Sequence, residues 1–256
     1  MKHIYKLSVV LLAVFTFVGC NVDDDDAISV LPMKELTASL EQQVDIIGVE
    51  DNATSYDLII KFSEDLPSYS TIEYSLDGGA TTSSSASTGD NTLVISVDFA
   101  PQDNFHDVDL SDFIVVNAAA RNYTTSLTGK TSVRLMRQGF FSAKMTWEGN
   151  QDLDLDLDEM TSSWGWSGNT LDSSAGITNE ENVSDMLADG NYALWVFEWP
   201  QNTFSNPVDI NFDIVTAGGD FSFTINAQDF GWQLWLTKST DSSGNVSYTF
   251  YTEDPS

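Results

Sequence analysis

The chain is poor in cysteine, histidine and positive charge. Cys20 is the sole cysteine of 256 residues, two residues are histidine, and 10 Lys+Arg stand against 39 Asp+Glu. A single cysteine permits no internal disulfide, so the fold must hold by packing or by a bound ion. The formal net charge of -29 opposes nucleic acid and anionic lipid as partners and favours cations and neutral or basic ligands. Beyond the first twenty residues His106 is the only histidine, and no cysteine remains as a thiol nucleophile. A Gly-x-Ser-x-Gly elbow, a phosphate loop, a zinc cluster and a Glu-x-Asp-x-x-Glu strand are all absent, so no enzyme activity is expected. No apolar run is long enough for a comfortable membrane span, and helical periodicity is nearly missing. With 41% hydrophobic residues the chain is nonetheless globular.

Lys2, His3 and Lys6 form a basic start, Leu7 to Val18 is apolar, and Gly19-Cys20 closes the run. This pattern predicts a signal peptide over residues 1–20, cleaved before Cys20. The ending Phe17-Val18-Gly19-Cys20 resembles the lipobox of bacterial lipoproteins, which implies lipid attachment at Cys20 and a membrane partner through that anchor. An ordinary free thiol is the alternative. Four aspartates, Asp23 to Asp26, come almost at once after it and resemble the acidic export signal of certain Gram-negative surface lipoproteins. The resemblance implies an outer-membrane protein facing the cell exterior; physically, residues 20–32 read as an acidic tether in any case.

Beyond the tether the chain consists of short β-rich runs separated by turn residues. Tyr56–Phe62, Thr71–Leu76, Thr92–Phe99, Phe113–Val116 and Thr131–Met136 read as strands. Asp77-Gly78-Gly79 supplies the positive-φ residues of a tight turn, Thr81 to Gly89 reads as a flexible loop, and His106 falls in a loop. About seven strands over roughly a hundred residues predict an immunoglobulin- or fibronectin-like sandwich over residues 33–137. All seven tryptophans lie at or after position 147, which predicts a second domain with its own core over residues 138–256. Its runs, among them Tyr192–Trp199, Val208–Ile214, Phe221–Ile225, Trp232–Leu236 and Val246–Phe250, make about eight strands and suit a jelly-roll-like sandwich. Only Asn182 to Ala188 suggests a turn of helix. The fold class is therefore all-β, two tandem β-sandwiches.

Aspartate and leucine alternate from Asp152 to Asp158. Period two places Leu153, Leu155 and Leu157 in a core and Asp152, Asp154, Asp156 and Asp158 together on the other face. A row of carboxylates roughly 7 Å apart is either a solvated face or a place for a hard cation such as Ca²⁺. Trp147, four residues, then Asp152-Leu153-Asp154-Leu155 resembles the opening of pre-peptidase C-terminal-type jelly-roll modules. Leu171-Asp172-Ser173-Ser174, Glu181-Asn182-Val183 and Asp189-Gly190-Asn191-Tyr192 resemble later segments of the same pattern, with Ser174 standing where the pattern has an aspartate. The resemblance implies Ca²⁺ held by Asp152 and Asp154, completed by Asp156, Asp172 and Glu181; Asp158 reads as solvated.

Trp164-Gly165-Trp166 lies in a Ser/Gly-rich loop. Two indoles there either stack on sugar rings or fold onto the sandwich end; the other tryptophans, inside strands, read as core. The expected role is that of a non-enzymatic, lipid-anchored surface protein, stabilised by calcium, with a binding or structural function. The alternative is glycan capture through Trp164 and Trp166, and another surface protein is a further candidate partner.

Overall fold

A computed structural model describes residues 34–66, 70–79, 82–85, 91–110, 112–117, 123–176, 179–200, 204 and 206–256. The leader, Cys20 and the acidic tether lie outside the described residues. Every regular element among the described residues is a strand. The first ten are β1 (Lys34–Leu40), β2 (Ile46–Val49), β3 (Ser55–Phe62), β4 (Ser70–Ser75), β5 (Thr82–Ser85), β6 (Thr92–Asp98), β7 (Phe105–Asp109), β8 (Asp112–Asn117), β9 (Tyr123–Leu127) and β10 (Ser132–Arg137). They pair as β6-β3-β1-β9, β2-β10-β7 and β5-β4-β8. The opening stretch of chain divides between two sheets, with β1 parallel to β9 and β2 parallel to β10. These sheets make a β-sandwich-like unit, and Leu36, Leu58, Ile60, Ile95, Phe99 and Leu135 fill its core.

Two local expectations change here. Part of the Ser/Thr-rich stretch pairs with β4 as strand β5, and His106 sits in β7 opposite Leu135. The turn after β4 forms as its residues require: Asp77 and Gly78 have φ of 55° and 67°, and the Gly79 N–H reaches the Leu76 carbonyl at 2.8 Å.

The remaining strands are β11 (Phe140–Trp147), β12 (Leu153–Met160), β13 (Trp166–Ser174), β14 (Glu180–Met186), β15 (Gly190–Glu198), β16 (Val208–Thr216), β17 (Gly219–Ala227), β18 (Gly231–Thr240) and β19 (Val246–Tyr251). They form a four-stranded sheet, β14-β11-β16-β17, and a five-stranded sheet, β13-β12-β15-β18-β19. The chain crosses repeatedly between the sheets, as in a jelly-roll-like sandwich. Asn182–Ala188 is no helical turn: residues 180 to 186 pair with β11, and inward Glu181 and Val183 alternate with exposed neighbours. Leu153, Leu155 and Leu157 meet Met145, Phe212, Leu194 and Val196 in a second core.

Residues Met33–Ser256 make one compact unit, and the join between the cores is tight. Only Gln138 and Gly139 separate β10 from β11. The Gly139 N–H donates to the Asp51 carboxylate at 2.7 Å, and a Cβ on Gly139 would come within 2.8 Å of that side chain. Beside this turn Arg137, 1% exposed, donates to the carbonyls of Glu50, Ala53, Ala100 and Asp103 and stacks 4.2 Å from the Phe99 ring centroid. A buried guanidinium is tolerable because its donors are satisfied so fully.

Candidate functional site

The acidic strand β12 splits its residues by parity. Its leucines are fully buried, and its aspartates face away from the main core, yet Asp154 and Asp158 are each only 5% exposed. Asp154 lies at the start of the strand, close to the turn between β13 and β14. Burial pushes its carboxyl up to about 6, and the neighbouring charges of Asp152, Glu181 and Asp156 push the same way; an N–H from Gly176 opposes them.

Glu181 enters this cluster from the edge strand of the opposite sheet. It is 3% exposed; one carboxylate oxygen accepts the Ser174 hydroxyl, while Oε1 is buried without a partner. Asp152 Oδ1 is likewise buried and unpartnered. The surrounding backbone is pinned. The Trp147 indole donates to the Gln151 carbonyl at 2.9 Å, Asn179 donates to the carbonyls of Trp147 and Gly149, and the Trp199 N–H reaches the Asp152 carbonyl at 2.8 Å. Ser174, where the resembled pattern has an aspartate, thus serves as a donor that holds Glu181, and its oxygen also accepts the Asn182 N–H at 3.2 Å.

Asp156 stands next along the strand, half-buried, its carboxyl raised chiefly by burial and partly relieved by the Ser173 hydroxyl. Asp172 is set apart. Its two oxygens accept the N–H groups of Ser173 at 3.0 Å and Ser184 at 2.7 Å, tying β13 to β14. Among the described residues no three His, Cys, Asp or Glu side chains are already drawn into metal-ligating geometry. The charges of Asp152, Glu181 and Asp156 all act on buried Asp154, with Asp172 outside that group.

Asp158 departs from the solvated role expected of it. One oxygen takes the Thr170 hydroxyl at 2.6 Å and the other the Trp232 indole N–H at 2.9 Å. That indole belongs to a group of aromatics on the outer face of the five-stranded sheet, which corrects the expectation of a core position for Trp195 and Trp232; Trp147 is in the main core and Trp235 is buried. In the pairing of β12 with β15, Asp156 lies opposite Trp195 and Asp158 opposite Ala193; the next strand sets Trp232 against Trp195 and Trp235 against Ala193. Met160, Ala193 and Trp235 form a cluster separate from the main core, covered by Trp164, Trp232 and Tyr251.

Trp164 and Trp166 therefore part company. The loop from Thr161 to Gly165 closes on itself through the Thr161 N–H to the Gly165 carbonyl and the Trp164 N–H to the Thr161 carbonyl. Trp164, at φ 65°, lies edge-on to Tyr251, while Trp166 is 53% exposed. A cleft of about 740 Å³ between the sandwiches, lined by Ile46, Tyr56, Gln138 and Asn245 among others, shares no lining residue with the acidic cluster or with Trp164 and Trp166.

No family model matches the chain, and no curated protein matches it. Among solved structures it is similar to one described as a marsupial T cell receptor, at 9% identity over 75% of this chain and 99% of the other, with a TM-score of 0.19. A likeness that low carries no argument beyond the all-β character of the strands themselves.

Proposed function

We propose that this protein is a non-enzymatic, lipid-anchored surface protein with a binding role, whose second sandwich is stabilised by Ca²⁺. The observation that carries the calcium part is the pair of buried, unpartnered oxygens Glu181 Oε1 and Asp152 Oδ1, on two residues whose charges both act on Asp154. Uncompensated carboxylates at the edge of a core are unfavourable, and a hard cation with oxygen ligands removes that penalty. Asp152, Asp154 and Glu181 would supply the anionic ligands; Asp156 is adjacent, and Asp172 is engaged elsewhere. The ion would neutralise the cluster and tie β12 to β14 across the sandwich edge. The anchor rests on the sequence around Cys20, and the outward display on Asp23 to Asp26.

Thermal melting with calcium and with EDTA tests the ion. At a hundred times its dissociation constant, Ca²⁺ should stabilise by about 2.7 kcal/mol. The gain should disappear in Glu181→Gln; an unchanged melting temperature on chelation sinks the proposal. For the anchor, Cys20→Ala should move the protein from the membrane to the soluble fraction, and protease added to intact cells should degrade the wild type.

A further inference from the structure

The two outer faces of the second sandwich differ in kind. On the four-stranded sheet, short polar side chains pair across β16 and β17: Asp209 with Asn226, Asn211 with Thr224 and Asp213 with Ser222, at 2.6–2.7 Å. That face is satisfied within itself and suited to water. The five-stranded sheet instead displays indoles. Trp195 and Trp232 meet at 4.9 Å and 78°, and Phe230 closes on Trp195 at 5.8 Å and 66°. Trp166 and Trp199 at the margins are 53% and 61% exposed, and Phe230 is 38% exposed.

These rings are held in place. Trp232 is fixed by its bond to buried Asp158, which Thr170 holds in turn. The perpendicular contacts then set Trp195. Such preorganisation lowers the ordering entropy that a ligand would otherwise have to overcome. Asp156 lies directly across from Trp195, with Ser173 on its other side. Neighbouring strands are about 4.8 Å apart, so the carboxylate sits at the edge of the indole platform.

We infer that the outer face of the five-stranded sheet binds neutral glycans, with Trp195 as the stacking platform and Asp156 as an acceptor of sugar hydroxyls. This deepens the proposed binding role and rests on it. A pyranose has both surfaces that the site requires: a C–H face that packs on an indole and equatorial hydroxyls that donate to a carboxylate. The half-buried carboxylate of Asp156 on this face disfavours a phospholipid surface, where its charge is expensive to desolvate further. The net charge of -29 disfavours an anionic polysaccharide. Trp166 and Trp199 extend the platform at its two margins and suit a chain longer than a single sugar.

The test is native affinity electrophoresis of the full-length protein in neutral detergent with Ca²⁺, in gels containing a neutral β-glucan, α-glucan, mannan, xylan or galactan, with alginate as the anionic arm. Retardation is expected in at least one neutral gel and not in alginate, with the dissociation constant raised about tenfold by Trp195→Ala. Trp199→Ala, at an exposed position that leaves the ring cluster intact, should weaken binding several-fold. No retardation in any neutral gel overturns the inference, as does retardation undiminished in both variants. Co-sedimentation of Cys20→Ala with phosphatidylcholine vesicles as tight as any glycan binding also overturns it and assigns the face to membrane. Loss of glycan binding with an intact calcium shift in melting would leave the ion proposal standing; the reverse pattern would leave the glycan face standing.

Discussion

Replacing Asp154 with asparagine should stabilise the calcium-free protein and destroy its response to calcium. The folded environment moves this carboxyl from 3.8 to about 6, which corresponds at most to about 3 kcal/mol against the ionised form at neutral pH. Water at the sandwich edge screens the neighbouring charges and reduces this to about 1–2 kcal/mol. Asparagine keeps an oxygen for the Gly176 N–H and removes the charge that Asp152, Glu181 and Asp156 oppose. In EDTA at pH 7 the melting temperature of Asp154→Asn should therefore exceed that of the wild type by about 2–8 °C. With saturating Ca²⁺ the order should invert, because the variant has lost an anionic ligand. The wild type supplies a second check. A raised carboxyl favours the fold below its unfolded value and loses that contribution as pH rises through about 6, so in EDTA wild-type stability should increase as pH falls from 7 towards 4. That slope should be smaller in Asp154→Asn, where Asp156, raised by burial, still contributes, and much reduced in calcium. Differential scanning calorimetry reads all of these. A variant less stable than wild type in EDTA would refute the electrostatic reasoning, and an equal calcium response in both proteins would refute the site.

Other perturbations reach different parts of the fold. Arg137→Ala leaves the carbonyls of Glu50, Ala53, Ala100 and Asp103 without their donor and should destabilise by about 3–5 kcal/mol in urea titration; Arg137→Lys should recover only part of this. Leu155→Ala, at a position with 0% exposure, should lose about 2–5 kcal/mol by the same measurement. Asp158→Asn keeps an oxygen for the Trp232 indole N–H but sets an amide N–H where the Thr170 hydroxyl donates. That hydroxyl must turn to accept, the charge-assisted bonds are lost, and about 1–2 kcal/mol of stability should go. Near-ultraviolet circular dichroism should change with it, since Trp232 sets the angle of Trp195.

Alternation alone is sufficient to orient β12. Leucines and aspartates at period two can bury only one face, so the inward set is legible before any partner strand is known. Turn chemistry is legible for the same local reason: Asp77-Gly78 accepts positive φ cheaply, and the chain reverses there. The tryptophan boundary anticipates a core separate from the first. Ser174 and Asp172 cannot be assigned from spacing. Whether a short polar residue ligates an ion or bonds a neighbouring N–H depends on which strand edge lies across from it.

Tertiary structure decided the outer face of the five-stranded sheet. A strand sequence states which residues share a face but not what covers that face. Trp195 and Trp232 read as core residues because their strands are rich in apolar side chains on both faces; pairing β18 beside β15 puts both rings outside. Asp158 reads as solvated because its own neighbours are acidic, and it is buried because Trp232 and Thr170, on different strands, close over it. Glu181 is expected only as a completing ligand, and it is the pairing of its strand that turns it inward at the sandwich edge. Composition and periodicity therefore determined the all-β class and the buried leucines. Long-range pairing alone determined which carboxylates converge and which indoles meet solvent, since both require side chains from strands distant in sequence.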